Sequence, residues 1–131
     1  MSFTKKQREI IHKKYNCRCG YCGKEISMKE MQVDHMHPLS FPTKELVLFE
    51  GVEINKVHHP DNLMPTCRRC NHYKRAETVE GFRKSMLTLH QRIMKNYIVK
   101  VAVDHGMLDL KPFNGNFYFE TLIPQQHERK R

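Results

Sequence analysis

Two short cysteine motifs stand far apart in this chain. Cys19-Gly20-Tyr21-Cys22 and Cys67-Arg68-Arg69-Cys70 each place two thiols three residues apart. Two thiolates at that spacing can grip one ion from a tight turn, and two such turns make a tetrahedral four-sulfur site that suits structural Zn²⁺. A fifth cysteine, Cys17, is left over. It could replace Cys19 as a ligand, but the knuckle spacing favours Cys19, and Cys17 reads as a small, partly buried apolar residue. The odd count argues against a disulfide framework. Between Cys22 and Cys67 lie 44 residues, well beyond the roughly 15–20 of a simple zinc ribbon. The metal site therefore closes the ends of an inserted unit, and that unit must hold the working residues.

Within or beside that unit stand Asp34-His35, Asp61-Asn62 and Asn71. The elements that would position them follow from the hydrophobic pattern. Thr4 to Tyr15 reads as a helix with a Thr4/Gln7 capping box, and Phe3, Ile10, Ile11 and Tyr15 share a face. Met31 to His37 alternates and ends at Pro38, which reads as a short strand. Adjacent Asp34 and His35 would then face opposite ways, and they reach one site only if the strand twists or stops there. Residues 39–60 could form a small hairpin or a loop. Asn62-Leu63-Met64 reads as a second strand stopped by Pro65, and Asn71 to Arg75 as the opening of a helix. Strand pair and helix, stapled by one metal, could bring Asp34, His35 and Asn71 together. Val79, Phe82, Met86, Leu89, Ile93 and Tyr97 then recur at helical steps, so one amphipathic core helix is expected from Thr78 to about Asp104. Asn114-Gly115 suggests a hairpin turn before a strand at Phe117-Tyr118-Phe119. The tail from Gln125 is expected to fray.

The composition narrows the function classes. The chain has 131 residues, 39% of them hydrophobic, with 23 Lys and Arg against 14 Asp and Glu. That size suits a single domain, here residues 1–131, with a thin core. No apolar run approaches a membrane span, and Met1-Ser2-Phe3-Thr4-Lys5-Lys6 has no apolar stretch behind its lysines, so neither a membrane anchor nor a signal peptide is expected and a cytoplasmic location is. The net charge of +9 suggests a polyanionic partner, nucleic acid first. It is unevenly spread: eight basic and three acidic residues fall in 1–30, two and four in 31–60, nine and three in 61–100. A uniformly basic clamp would not need the acidic island. A metal-dependent nuclease would, because it must hold a cation beside bound phosphates.

Taken together these residues resemble the HNH endonuclease family, in its zinc-stapled branch of small phage and bacterial proteins. The resemblance is carried by Cys19-x-x-Cys22, Val33-Asp34-His35-Met36-His37-Pro38-Leu39-Ser40, Pro60-Asp61-Asn62-Leu63 and Cys67-x-x-Cys70-Asn71-x-x-Lys74, in that order, over about residues 18–82. It implies an α+β fold with a ββα-metal (His-Me finger) core closed by the four-cysteine zinc site, flanked by N- and C-terminal helices and a short C-terminal strand. It implies that His35 is the general base for the attacking water, that Asp34 and Asn71 hold a catalytic Mg²⁺ or Mn²⁺, and that Asn62 braces the module and helps orient the base. Many members have His where this chain has Asn71, and His72 is a rival ligand one position on. Lys74 and Arg75, one turn past Asn71, could grip phosphate; Arg68 and Arg69 could touch the DNA backbone or simply be solvated. His37, His58 and His59 read as phosphate contacts or solvent-facing groups.

The expected activity is hydrolysis of phosphodiester bonds in DNA, most simply double-stranded, and the resemblance implies 3′-hydroxyl and 5′-phosphate ends. The main alternative is a non-catalytic zinc-stapled DNA-binding or phage packaging-accessory module; an RNA-directed nuclease or RNA binder is a third. Residues 83–131 form an extension that could finish the core or pair two protomers as a homodimer.

Overall fold

The computed structural model describes residues 3–37, 45–49 and 51–122. Pro38-Leu39-Ser40 of the motif and the tail from Gln125 lie outside the described residues. The fold is α+β, and the chain divides at Thr78 and Phe117 into two compact units: residues up to 78 with those from 117 on, and residues 79–116. Among the described residues no helix is long and apolar enough to cross a membrane.

Helix α1 spans Lys5–Lys13. Its capping box forms as the sequence predicts, with Gln7 N–H donating to Thr4 Oγ1 at 3.1 Å and Thr4 N–H to Gln7 Oε1 at 2.8 Å. Ile11 is buried on its inner face. Two cations anchor the helix to backbone rather than to acids. Arg8 donates to the carbonyls of Met28 and Met31 at 2.8 and 2.9 Å, and Lys14 to those of Pro60 and Leu63 at 2.7 and 3.0 Å.

Strand β1, Gln32–His35, comes next, then β2, Leu46–Phe49, and β3, Val52–Asn55. The last two form the hairpin, with Gly51 at φ +78° in its turn. Two short 3₁₀ turns, Lys56–His58 and Pro60–Asn62, lead into β4, Leu63–Thr66. β1 and β4 pair antiparallel, with Asp34 opposite Met64 and His35 opposite Leu63. Pro65 does not stop β4. It pairs with Val33, and its carbonyl accepts the Gly20 N–H at 2.8 Å. Proline has no N–H to offer the ladder, so only its acceptor is used here. A Cβ at Gly20 would lie 2.0 Å from Met64 Sδ, so a side chain there would require the buried Met64 to move.

Helix α2, Arg68–Lys74, begins three residues earlier than Asn71 because Cys67 is its N-cap, with the Cys70 N–H 3.4 Å from Cys67 Sγ. The order β1, β4, α2 gives a strand pair followed by a helix, with the β2–β3 hairpin inserted.

In the second unit the single long helix is three: α3 at Val79–Leu87, α4 at Leu89–Ile93 and α5 at Tyr97–Asp104. Polar side chains interrupt it. Thr88 Oγ1 donates to the Ser85 carbonyl at 3.3 Å, and Asn96 caps α5 by accepting the Ile98 N–H at 3.0 Å. Such local bonds compete with the helical ladder. The break resets the helical face, so Phe82 is buried while Tyr97 is 78% exposed.

The expected C-terminal strand is instead a short helix, α6, Tyr118–Thr121. The Phe117 N–H donates to Glu120 Oε1 at 2.8 Å and closes a helical turn. Tyr118 and Phe119 give their N–H groups to the carbonyls of Tyr21 and Gly20, and Phe117 packs edge-on against Tyr21 with ring centroids 5.2 Å apart. This segment completes the core of the first unit. Phe117→Ala should therefore lower stability by about 3–5 kcal/mol, the usual cost of truncating a buried aromatic, read as a shift in the chemical denaturation midpoint.

Candidate functional site

The four knuckle cysteines converge. The Sγ atoms of Cys19, Cys22, Cys67 and Cys70 all lie within 4.8 Å of one another, and Cys22 and Cys67 are 3.9 Å apart. A tetrahedron with metal–sulfur bonds of about 2.3 Å has sulfur–sulfur edges of about 3.8 Å, so the donor set fits a structural metal such as zinc. Cys17, at φ +60°, is outside the cluster. The thiols compete for charge. A hydrogen bond with Cys70 draws Cys19 down to about 4, and that bond pushes Cys70 up, while burial pushes Cys22 up. Only a cation would let all four ionise together.

β1 carries the next group of residues. Side chains alternate along a strand, so Gln32 and Asp34 share the face toward α2. Helical residues three apart share a face as well, and α2 meets β1 in that register: Asn71 Nδ2 donates to Gln32 Oε1 at 2.8 Å, and Lys74 Nζ lies 3.0 Å from Asp34 Oδ2. Asp34 is buried and also accepts the Tyr21 hydroxyl at 2.6 Å. Burial raises its pKa, opposed by the Tyr21 hydrogen bond and the Lys74 charge.

Lys74 is not available to grip phosphate. Its side chain is fully buried, and its ammonium also donates to the carbonyls of His35 and Glu77. The reason is local: Asp34 brings a negative charge into the interior, and the last residue of α2 is placed to match it. Arg75, the next residue, is exposed, as are Arg68 and Arg69 at the start of α2. His72 is exposed on a face away from Asp34, and lines a cleft with Lys24 and Lys29.

β1 ends at His35, but the Asp34 and His35 side chains keep separate company. His35 is half-buried, with Nε2 3.0 Å from His58 Nδ1 and the Phe3 ring centroid 6.4 Å away. Burial lowers its pKa to about 4, helped by His58 and Lys74; the imidazole is neutral at pH 7. Asn62 holds the chain on that side. Its amide accepts the His37 N–H at 2.8 Å and donates to the carbonyls of His37 and Val57 at 3.1 and 2.8 Å. His59 accepts the Asp61 N–H at 3.1 Å.

The structure thus brings Asp34, Asn71 and Lys74 to the β1–α2 interface and sets His35 with His58 on the other side of β1. Three participants do not stand out in the sequence. Tyr21 sits at a variable position of the first knuckle, and only the return of β1 beneath it makes its hydroxyl a partner of Asp34. Gln32 lies two residues before Asp34, and strand period alone could have flagged it. His58 looks like any of several loop histidines until the fold sets it against His35.

Asp34 and Asn71 carry the oxygens that could hold a divalent cation. Asn71 commits its amide nitrogen to Gln32, which leaves its carbonyl oxygen directed elsewhere, and an ionised Asp34 has acceptor positions beyond those that Tyr21 and Lys74 use. Carboxylate and amide oxygens are hard donors of the kind Mg²⁺ takes, with water filling the rest of its shell.

Among known proteins, residues 19–77 match the family model described as HNH endonuclease. Neither the curated proteins nor the solved structures gave a match.

The buried ion pair makes a sharp prediction. Lys74→Ala strands the Asp34 carboxylate and should cost about 3–5 kcal/mol, whereas Arg68→Ala on the surface should stay within about 0.5 kcal/mol. Urea titration of the two variants beside wild type checks both.

Proposed function

We propose, from the match of residues 19–77 to the HNH endonuclease family model, that this chain is a metal-dependent endonuclease that hydrolyses phosphodiester bonds in double-stranded DNA. The observation that carries the reading is the end of β1, where a buried carboxylate and a neutral imidazole stand on successive residues, and Lys74 donates to the carboxylate of the first and the backbone carbonyl of the second.

His35 takes the proton of the attacking water in this reading. A general base must be unprotonated at the working pH, and the environment of His35 keeps it so. Its Nε2 faces His58 across 3.0 Å, so the ring is held in one orientation before substrate arrives. Asn62 fixes the chain at His37, two residues on, and limits how far the base can swing. Gln32 orients Asn71, and Tyr21 with Lys74 orients Asp34. Mg²⁺ or Mn²⁺ held by Asp34 and Asn71 would supply charge neutralisation at the phosphate and the leaving oxygen. The exposed cations Arg68, Arg69 and Arg75 lie on the same unit and suit contacts to the phosphate backbone. The four-cysteine cluster holds Zn²⁺ in a structural role.

One observation favours a second reading, a non-catalytic DNA-binding or packaging-accessory module. Lys74 already balances the Asp34 charge, so that carboxylate needs no cation to be buried.

A plasmid assay separates the two. With Mg²⁺, the wild-type chain should convert supercoiled plasmid to nicked circles, and His35→Ala should slow this by at least about a hundredfold, the usual worth of a general base. Equal rates for the two proteins, both shown to be folded, would sink the enzyme reading. Metal analysis should find about one zinc per chain, and Cys67→Ala should lose both zinc and the folded circular dichroism signal, since structural zinc contributes of order 10 kcal/mol to such folds.

A further inference from the structure

Beside the four-cysteine cluster runs a cleft of about 620 Å³. Lys24 and Lys29 line it from the chain between the first knuckle and β1, and Arg68, Arg69 and His72 from α2. All five are exposed. Among the described residues neither lysine nor either arginine makes a salt bridge. The single acid on the wall, Glu30, accepts the Ser27 N–H at 3.0 Å. Pockets for small molecules carry only a few polar groups; this one carries four exposed cations with Glu30, Gln32 and His72. A second cavity, of about 550 Å³, mixes Glu45 and Asp61 with Lys56 and offers no single sign of charge.

We propose that this cleft is a phosphate-backbone site that holds duplex DNA beside the bond to be cut. Four cations along a trough match a row of phosphates, which neutralise them on binding and release counterions. The trough is concave and set between a turn and a helix, a shape that admits one strand of a duplex rather than a flat bilayer. Its inner wall includes Gln32, which lies on β1 two residues before Asp34 and accepts the Asn71 amide. The cleft therefore reaches the face of β1 that α2 covers, two residues before Asp34. Cys67 also lines the cleft, so the metal cluster fixes the spacing between its two walls. The assignment of the ligand as DNA rests on the nuclease reading; the cleft itself does not.

The test measures binding apart from cutting. The full chain, prepared with zinc and carrying His35→Ala, is titrated into a fluorescent DNA duplex of about thirty base pairs at salt concentrations from about 50 to 200 mM, a range over which phosphate contacts show clearly. Lys24→Glu with Lys29→Glu should weaken binding at least about tenfold and make the slope of log affinity against log salt shallower by about two, close to 0.9 for each lost phosphate contact. Lys95→Glu with Lys100→Glu makes the same change in net charge within residues 79–116 and should cost less than about threefold. Among the described residues neither Lys24 nor Lys29 bonds through its side chain, so zinc content and the melting curve should be unchanged; if the double glutamate variant does not fold, Lys24→Gln with Lys29→Gln replaces it. An unchanged affinity and slope overturns the proposal, and so does an equal loss in the control pair. Tighter binding of double-stranded RNA or of phosphatidylserine vesicles than of DNA overturns the choice of ligand. Plasmid nicking by the otherwise wild-type chain is scored separately. If the charge reversal weakens DNA binding but no nicking occurs, the cleft stands and the enzyme reading falls. If the chain nicks plasmid and the charge reversal changes nothing, the enzyme reading stands and the cleft falls.

Discussion

A carboxylate taken out of water stays ionised only where charge and hydrogen-bond donors replace the water it has lost. Asp34 meets that condition with a hydroxyl from Tyr21 and an ammonium from Lys74. Those two partners come from different elements, the first cysteine knuckle and the last turn of α2, and Asp34 itself from β1. One buried pair thus ties three separate pieces of chain at the point where the proposed chemistry occurs. It also sets the rotation of α2. A shift of one residue along a helix turns a side chain by about 100°, which would remove Lys74 from Asp34 and Asn71 from Gln32 together.

The start of α2 fixes that rotation, and the start is a cysteine. Cys67 caps the helix through sulfur while belonging to the four-cysteine cluster, so closing the cluster and phasing the helix are one event. The hydrophobic core around it is small: Ile11, Tyr21, Ile26, Met31, Leu63, Met64 and Phe117 are its main buried apolar side chains. Small cores commonly rely on a metal or another cross-link for stability, and a metal at the four thiols would supply it here.

The charge pattern reads differently once folded. Of the basic residues, Lys14 and Lys74 are spent inside, on backbone carbonyls and on Asp34. Glu45 of the acidic stretch pairs with Lys56 on the surface at 3.0 Å. Asp34 shows no negative charge to solvent, because Lys74 cancels it. The surplus of positive charge that remains exposed beside the cluster is gathered by a turn and a helix that are about forty residues apart in the chain and adjacent in space.

Some of this was legible in the residues themselves. The cysteine spacing picked out the four thiols that converge, since two thiols three apart can approach one point from a turn without help from distant chain. The Thr4/Gln7 box and the short strand before Pro38 are local too, and they formed where the pattern put them. What local pattern could not reach was anything decided by partners elsewhere. Phe117 to Phe119 carries strand-like residues, yet it turns into a helix because the Gly20 and Tyr21 carbonyls and the Glu120 side chain take its N–H groups. Lys74 looks like a surface cation at the end of a helix, and becomes an interior one because β1 brings Asp34 beneath it. The types and spacing of residues determined which chemistry the chain can hold. Which face each side chain presents, and to what, was decided only when strand register and helix phase were fixed by contacts between segments far apart in sequence.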